Sequence, residues 1–333
     1  MTRWAILVGV NYCGRQHPEY ELQGSVTDVE AIAEFLANEE NPRSTIKLTS
    51  TKPVNASESQ PPEELQHQAT IKNFLEQIEH IKKHGKEGDD VYIHYSRHGT
   101  KIENDVALNF FHPKTGKQYY LGGCLAIKLK PLVEKKRFLV TIVFNCCFSG
   151  ATKRHGGPGA TGLRHSEYDP LVDIFGAGLD PHGEEDEVAV ASVRNAEAIP
   201  QWEIDPDRHT IFCACTASET ANEIKLENIM GPVVTPGLRG AFSYVLLEAL
   251  KQLHIAGTAT HDHVLHRHLC AVFHAKTPAQ RPTRYRSKKS SFFATVGPSP
   301  DNKIASVSRD GDQLVLMKGS AHGVLGGDEY DIF

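Results

Sequence analysis

Two apolar runs end in short polar turns, and those turns hold the residues that could do chemistry. The run FLVTIVF, beginning at Phe138, stops at Asn145-Cys146-Cys147-Phe148-Ser149-Gly150, a turn with two thiols and a glycine. The run DVYIHYS, beginning at Asp90, stops at Arg97-His98-Gly99. A thiolate is a strong nucleophile, and an imidazole beside it can take the thiol proton and return it to a leaving amine. Free cysteine is also among the most buried of side chains, so either thiol taken alone reads equally well as core. Position joins the two turns. Buried parallel strands bring their carboxyl ends to one edge of the sheet, and catalytic groups collect there.

The segments YSRHG (Tyr95 to Gly99) and NCCFSG (Asn145 to Gly150) resemble the YSGHG and DxC(H/F)SG signatures of the caspase-like cysteine peptidases, on their metacaspase side. His98 precedes Cys147 by 49 positions, close to the spacing of about 50 in caspases. WAILVGVNY and GSVTDVEAIAEFL resemble the family's first strand and first helix. GAFSY (Gly240 to Tyr244) and SSFF (Ser290 to Phe293) resemble small-subunit segments of fungal caspase-domain proteins. The resemblance spans residues 3 to 297. It implies a caspase-like three-layer α/β sandwich, with a mostly parallel sheet of about six strands and helices on both faces. It also implies a cysteine endopeptidase with a Cys-His dyad that cuts after Arg or Lys and acts in regulated cell death or defence.

Residue by residue, Cys147 rather than Cys146 matches the family nucleophile, because it stands directly before Phe-Ser-Gly. His98 matches the base, and the amides of Gly99 and Cys147 would form the oxyanion hole. Asp28 matches one carboxylate of the pocket that selects a basic side chain. The family's second carboxylate is Asn145 here, a loss expected to weaken cation binding and to be repaired by Asn145→Asp. Arg97 stands where the family has glycine, and could obstruct substrate or point into solvent. These two departures support the alternative, a caspase-fold interaction module with weakened catalysis. No aspartate cluster of the kind that binds calcium follows His98, and His263, His266, Cys270 and His274 read better as one side of a helix than as a zinc site. No metal or cofactor is expected.

The elements that must position these groups are legible from periodicity. Trp4 to Val10 reads as the first strand, followed by a helix that opens on a Thr27-x-x-Glu30 capping box and buries Val29, Ile32, Ala33 and Leu36. Thr70 caps a second helix with the apolar stripe Ile71, Phe74, Leu75, Ile78 and Ile81, ended by Gly85. A hairpin turns at Lys114 to Lys117, a helix runs from Leu125 to Lys135, and a strand from Thr210 to Cys215. Helices over 241–252 and 261–274 and a strand over 291–296 complete the pattern. One peptidase domain is expected over 1–297, split into a large-subunit-like part (1–150), an intersubunit loop (151–208) and a small-subunit-like part (209–297). A β-rich tail, 298–333, follows. The loop is tethered beside Cys147, so self-cleavage is expected within it, at Arg164 or Arg194.

A net charge of −5 over 333 residues leaves no electrostatic footprint for nucleic acid or anionic membrane. The apolar run near the amino terminus is too short to span a bilayer. Seven cysteines without a CxxC pair argue against a disulfide framework and for a reducing, cytoplasmic setting. The expected partners are protein or peptide substrates, with partner domains or self-association left open.

Overall fold

The structure, a computed structural model, describes residues 1–15, 18–39, 43–55, 57–102, 105–147, 160–164, 166–175, 208–216, 219–225, 237–255, 261–276, 280–285, 292, 307–310 and 313–316. Its centre is a six-stranded sheet built from the β-branched and aromatic runs of the sequence. The strands are β1 (Arg3–Val10), β2 (Ser44–Ser50), β3 (Asp90–Ser96), β7 (Leu139–Asn145), β9 (His209–Cys213) and β12 (Thr283–Tyr285). They lie in the order β12-β9-β7-β3-β1-β2. All neighbours are parallel except β12, which pairs antiparallel to β9 at one edge. The register sets Ser96 against Asn145 and Gly9 against Ser96, so the carboxyl ends of β1, β3 and β7 finish level.

Alternation along each strand divides the interior into two cores. Ile6, Val8, Ile93 and Ile142 face helices α2 (Ile71–His84) and α3 (Gly122–Glu134), meeting Phe74, Ile78, Leu125 and Leu129. Ala5, Leu7, Tyr92 and Val143 face the other way. They meet α1 (Ser25–Ala37) through Val29, Ile32 and Leu36, and α4 (Ala241–Ile255) and α5 (Asp262–Lys276) through Phe242, Leu246, Leu265 and Leu269. Helices thus cover both faces of a mostly parallel sheet, the caspase-like α/β sandwich.

Smaller sheets rise from the carboxyl edge. A meander of β4 (Gly99–Ile102), β5 (Asp105–His112) and β6 (Gly116–Leu121) follows His98 directly. A second three-stranded sheet joins β8 (Ala160–Leu163), β10 (Asn222–Lys225) and β11 (Leu238–Gly240), with β10 central and antiparallel to both. In the tail, β13 (Val307–Asp310) and β14 (Gln313–Leu316) form a hairpin. Among the described residues no helix is long and apolar enough to cross a membrane.

Two local expectations change and a third holds. The helix α1 begins at Ser25, ahead of the Thr27 box, and its N-cap side makes no capping bond of its own. Its free amides are met from outside: Asn11 Oδ1 accepts from the amides of Ser25 (2.9 Å) and Val26 (3.1 Å). A tertiary acceptor has replaced the local one. The sheet edge beyond β9 is β12; the strand expected over 291–296 lies outside the described residues apart from Phe292, whose carbonyl accepts from Thr141 Oγ1 at 2.9 Å. The cap by Thr70 on α2 is present as expected, with Oγ1 accepting from the Asn73 amide at 3.2 Å.

Candidate active site

The strand β3 ends at Ser96, and its chain turns through Arg97 and His98 into β4. His98 is 3% exposed. Its Nε2 lies 2.9 Å from the Tyr20 carbonyl, which can only accept, so the proton sits on Nε2. That leaves Nδ1 as the basic nitrogen, with no hydrogen-bond partner among the described residues. Burial, and next the Arg97 charge, hold the imidazole well below its usual range, so it stays neutral. The Tyr95 hydroxyl donates to the His98 carbonyl at 2.9 Å and meets the Asn109 amide at 2.7 Å, tying the histidine turn to β5.

One strand away, Cys146 and Cys147 leave β7 in opposite directions. Cys146 joins the core beneath α2 and α3, and burial pushes its thiol well up. Cys147 belongs to the opposite core, and the Ala221 amide points at its Sγ from 2.7 Å.

The amides of Gly99 and Cys147 converge on a single acceptor, the backbone carbonyl of Arg164, at 3.3 and 3.0 Å. Arg164 lies just after β8, and its amide donates to the Ala221 carbonyl at 2.9 Å. The side chain is fully buried. Its Nη2 contacts Asp28 Oδ2 at 3.0 Å and Glu223 Oε1 at 3.1 Å, while Nη1 meets Ser96 Oγ and the Asn145 carbonyl. A buried arginine is tolerable only with such pairing. An arginine of this chain therefore has its guanidinium between two carboxylates and its carbonyl between the amides of the His98 and Cys147 turns.

Asp28 is fully buried and is not a helix cap. Besides Arg164, its oxygens accept from Ser96 Oγ (2.8 Å), Asn145 Nδ2 (3.2 Å) and Arg239 Nε (2.8 Å). Asn145 also reaches Ser243 Oγ at 2.5 Å, and Ser243 contacts His94 Nε2 at 2.9 Å. Glycine at 240 is required by this crowding: a Cβ there would lie 2.6 Å from Asp28 Oδ2 and 2.7 Å from Arg164 Cζ.

Arg97 neither blocks the site nor faces solvent. It is 1% exposed and turns beneath the sheet edge, donating from Nη1 to the Val10 carbonyl at 2.9 Å and from Nη2 to Cys13 Sγ. Burial lowers its guanidinium to about 9. Arg194 lies outside the described residues. His266 and Cys270 both approach the Pro282 carbonyl, and no cluster of three or more metal-ligating side chains occurs among the described residues.

Sequence reasoning missed Glu223 and Ala221. Glu223 is 3% exposed, and its carboxylate is held by the amides of Gly24 (2.8 Å) and Gln23 (3.2 Å). Its signal was weak: a lone acid in a short strand, 76 positions from the cysteine turn. Only the pairing of β10 with β8 brings it to the site.

Residues 3–153 match the sequence model of the metacaspase, peptidase C14 domain. Metacaspase-1 of Candida albicans is 31% identical over 101 residues, 30% of this chain and 20% of that protein. Metacaspase-7 of Arabidopsis thaliana is 29% identical over 168 residues, 45% of this chain and 35% of that protein. The aligned part is thus about a third or less of these curated relatives. A crystal structure of a Geobacter sulfurreducens protein superposes with a TM-score of 0.52, at 14% identity, over 88% of this chain and 97% of that one, a likeness of fold alone. Peptidase C14 is a family of cysteine peptidases, and residues 3–153, a little under half of this chain, are similar to its metacaspase-type, caspase-like members.

Proposed function

We propose that the chain is a cysteine endopeptidase that cuts peptide bonds after arginine or lysine, with Cys147 as nucleophile and His98 as acid-base. The observation that carries the reading is the seat of Arg164. Its side chain lies between Asp28 and Glu223, and its carbonyl accepts from Gly99 and Cys147. A substrate arginine in the same place would present its carbonyl carbon to the Cys147 sulfur. His98 Nδ1 takes the thiol proton as sulfur attacks, and the oxygen of the tetrahedral intermediate draws charge toward the two amides. When the C–N bond breaks, His98 returns the proton to the leaving amine. Water, deprotonated by His98, then releases the acyl group and restores the thiol. Glu223 supplies the second carboxylate that Asn145 lacks, so the neutral residue at 145 need not weaken cation binding.

The same geometry makes Arg164 the favoured site of self-cleavage. Its carbonyl already occupies the amides of Gly99 and Cys147, while Arg194 lies outside the described residues. A cytoplasmic setting agrees with seven cysteines, none of them in a disulfide. Regulated cell death or defence is the role the family resemblance suggests. A second reading rests on the burial of Arg164: a pocket permanently filled by the chain's own side chain would leave a caspase-fold interaction module. Hydrolysis of a peptide with arginine before the cut, compared between wild type and Cys147→Ala, separates the two. Turnover lost in Cys147→Ala supports the peptidase; no turnover in either supports the module.

A further inference from the structure

Two residues beyond Arg164, Ser166 is 1% exposed and enclosed by polar side chains of the β4–β5–β6 meander. Its amide donates to the Gly99 carbonyl at 3.2 Å, so Arg164 and Ser166 bond on either side of Gly99 at the start of β4. Asn109 Nδ2 donates to Ser166 Oγ at 2.6 Å, and Thr100 Oγ1 lies 2.6 Å from the same oxygen. Thr100 Oγ1 is also 3.1 Å from Asn109 Oδ1 and 3.1 Å from the Ser166 carbonyl, and Lys117 Nζ stands 3.5 Å from Ser166 Oγ. The three side chains can close a ring: Ser166 donates to Thr100, Thr100 to Asn109 Oδ1, and Asn109 Nδ2 back to Ser166. Such a ring needs a group at position 166 that both donates and accepts, which is a hydroxyl.

We infer that Thr100, Asn109 and Lys117 form a subsite for a serine or threonine at the second position after the scissile bond. The inference rests on the arginine-directed peptidase reading, since Arg164 fixes where the cut falls. The subsite is preorganised. Thr100 and Asn109 sit on adjacent strands, and both the amide and the carbonyl of Asn109 bond to the Tyr95 hydroxyl, which also holds the His98 turn. Alanine at that position would leave the Asn109 Nδ2 donor without its partner in a buried site, while Thr100 would keep Asn109 Oδ1 and the main-chain carbonyl. Aspartate could meet Asn109 and Lys117, but it has no proton to give Thr100.

The test uses the full-length chain and a heptapeptide copied from its own sequence, Gly-Leu-Arg-His-Ser-Glu-Tyr, with serine, threonine, alanine or aspartate at the fifth position. Competition from the chain's own loop affects the four peptides alike, so the ratios of kcat/KM report the subsite. Serine should exceed alanine by about tenfold, the effect expected of one unpaired buried donor, and should also exceed aspartate. In Asn109→Ala the serine advantage should fall to within about twofold, and Thr100→Val gives the same readout if Asn109→Ala does not fold. Equal rates for serine and alanine peptides in wild type would overturn the subsite while leaving the peptidase standing. A serine advantage that survives both variants would also overturn it. No Cys147-dependent hydrolysis of any peptide would overturn the peptidase reading and the subsite with it.

Discussion

At Cys146 and Cys147 the period of the strand, rather than thiol chemistry, separates two adjacent and chemically identical residues. Cys146 points into the core beside Ile142 and Phe144, where burial keeps it protonated; Cys147 points to the Ala221 amide. Cys147→Ala should abolish cleavage of an arginine peptide. Cys146→Ala should retain most of it, at a stability cost of about 1 kcal/mol for a small cavity. A dead Cys146→Ala with a live Cys147→Ala would reverse the assignment. At Asn145 the pocket changes the expected sign. The side-chain amide donates to Asp28 Oδ2 and reaches Ser243 Oγ. Asn145→Asp would set a third carboxylate against Asp28 and Glu223, so kcat/KM for an arginine peptide should not rise, and the melting temperature should fall. A clear rise in kcat/KM would show that the pocket still lacks a charge.

Elements decide which local signals count. Thr70 caps α2 with its own hydroxyl, so Thr70→Ala should cost about 1 kcal/mol in denaturant unfolding. Thr27 makes no cap, and Thr27→Ala should stay within about 0.5 kcal/mol, while Asn11→Ala should lose as much as Thr70→Ala. The reverse order for Thr27 and Asn11 would mean that the capping box forms. The strand β8 carries the self-cleavage prediction: incubated wild type should yield fragments ending at Arg164, and Cys147→Ala or Arg164→Gln should yield none there. Intact-mass and terminal-peptide analysis reads this directly. The strongly periodic elements, β1, β3, β7, α1 and α2, were legible because each buries a complete face. His98 and Cys147 were legible because short motifs end those strands. β8, β10 and β12 were not, since three or four residues carry no period. Glu223 and Ala221 were hidden with them, because tertiary pairing alone gives them a neighbour in the site.

Across the whole molecule, buried neutral histidines couple stability to pH. His94 is fully buried between the Tyr92 hydroxyl (3.0 Å) and Ser243 Oγ (2.9 Å), and burial lowers it to about 4. His98 is shifted in the same direction. The unfolded chain binds these protons at about 6.5 and the folded chain does not, so stability is full above that value and lost as pH falls toward 4. His94 alone contributes a loss of about 3 kcal/mol across that window. His94→Gln should flatten the decline in melting temperature between pH 7 and pH 4.5; identical slopes would place the acid sensitivity elsewhere.

The central claim is that a basic side chain held by Asp28 and Glu223 delivers its carbonyl to Cys147. An arginine chloromethyl ketone tests it most directly, because binding of its side chain and carbonyl sets the chloromethyl carbon beside the nucleophile and speeds alkylation there. Applied to the full-length chain beside its citrulline counterpart, a neutral isostere, and mapped by peptide mass, it should modify Cys147 alone among the seven cysteines. The arginine reagent should react at least about tenfold faster, as expected for a charge-assisted contact. Equal rates for the two reagents, or alkylation spread over other cysteines, would contradict the account.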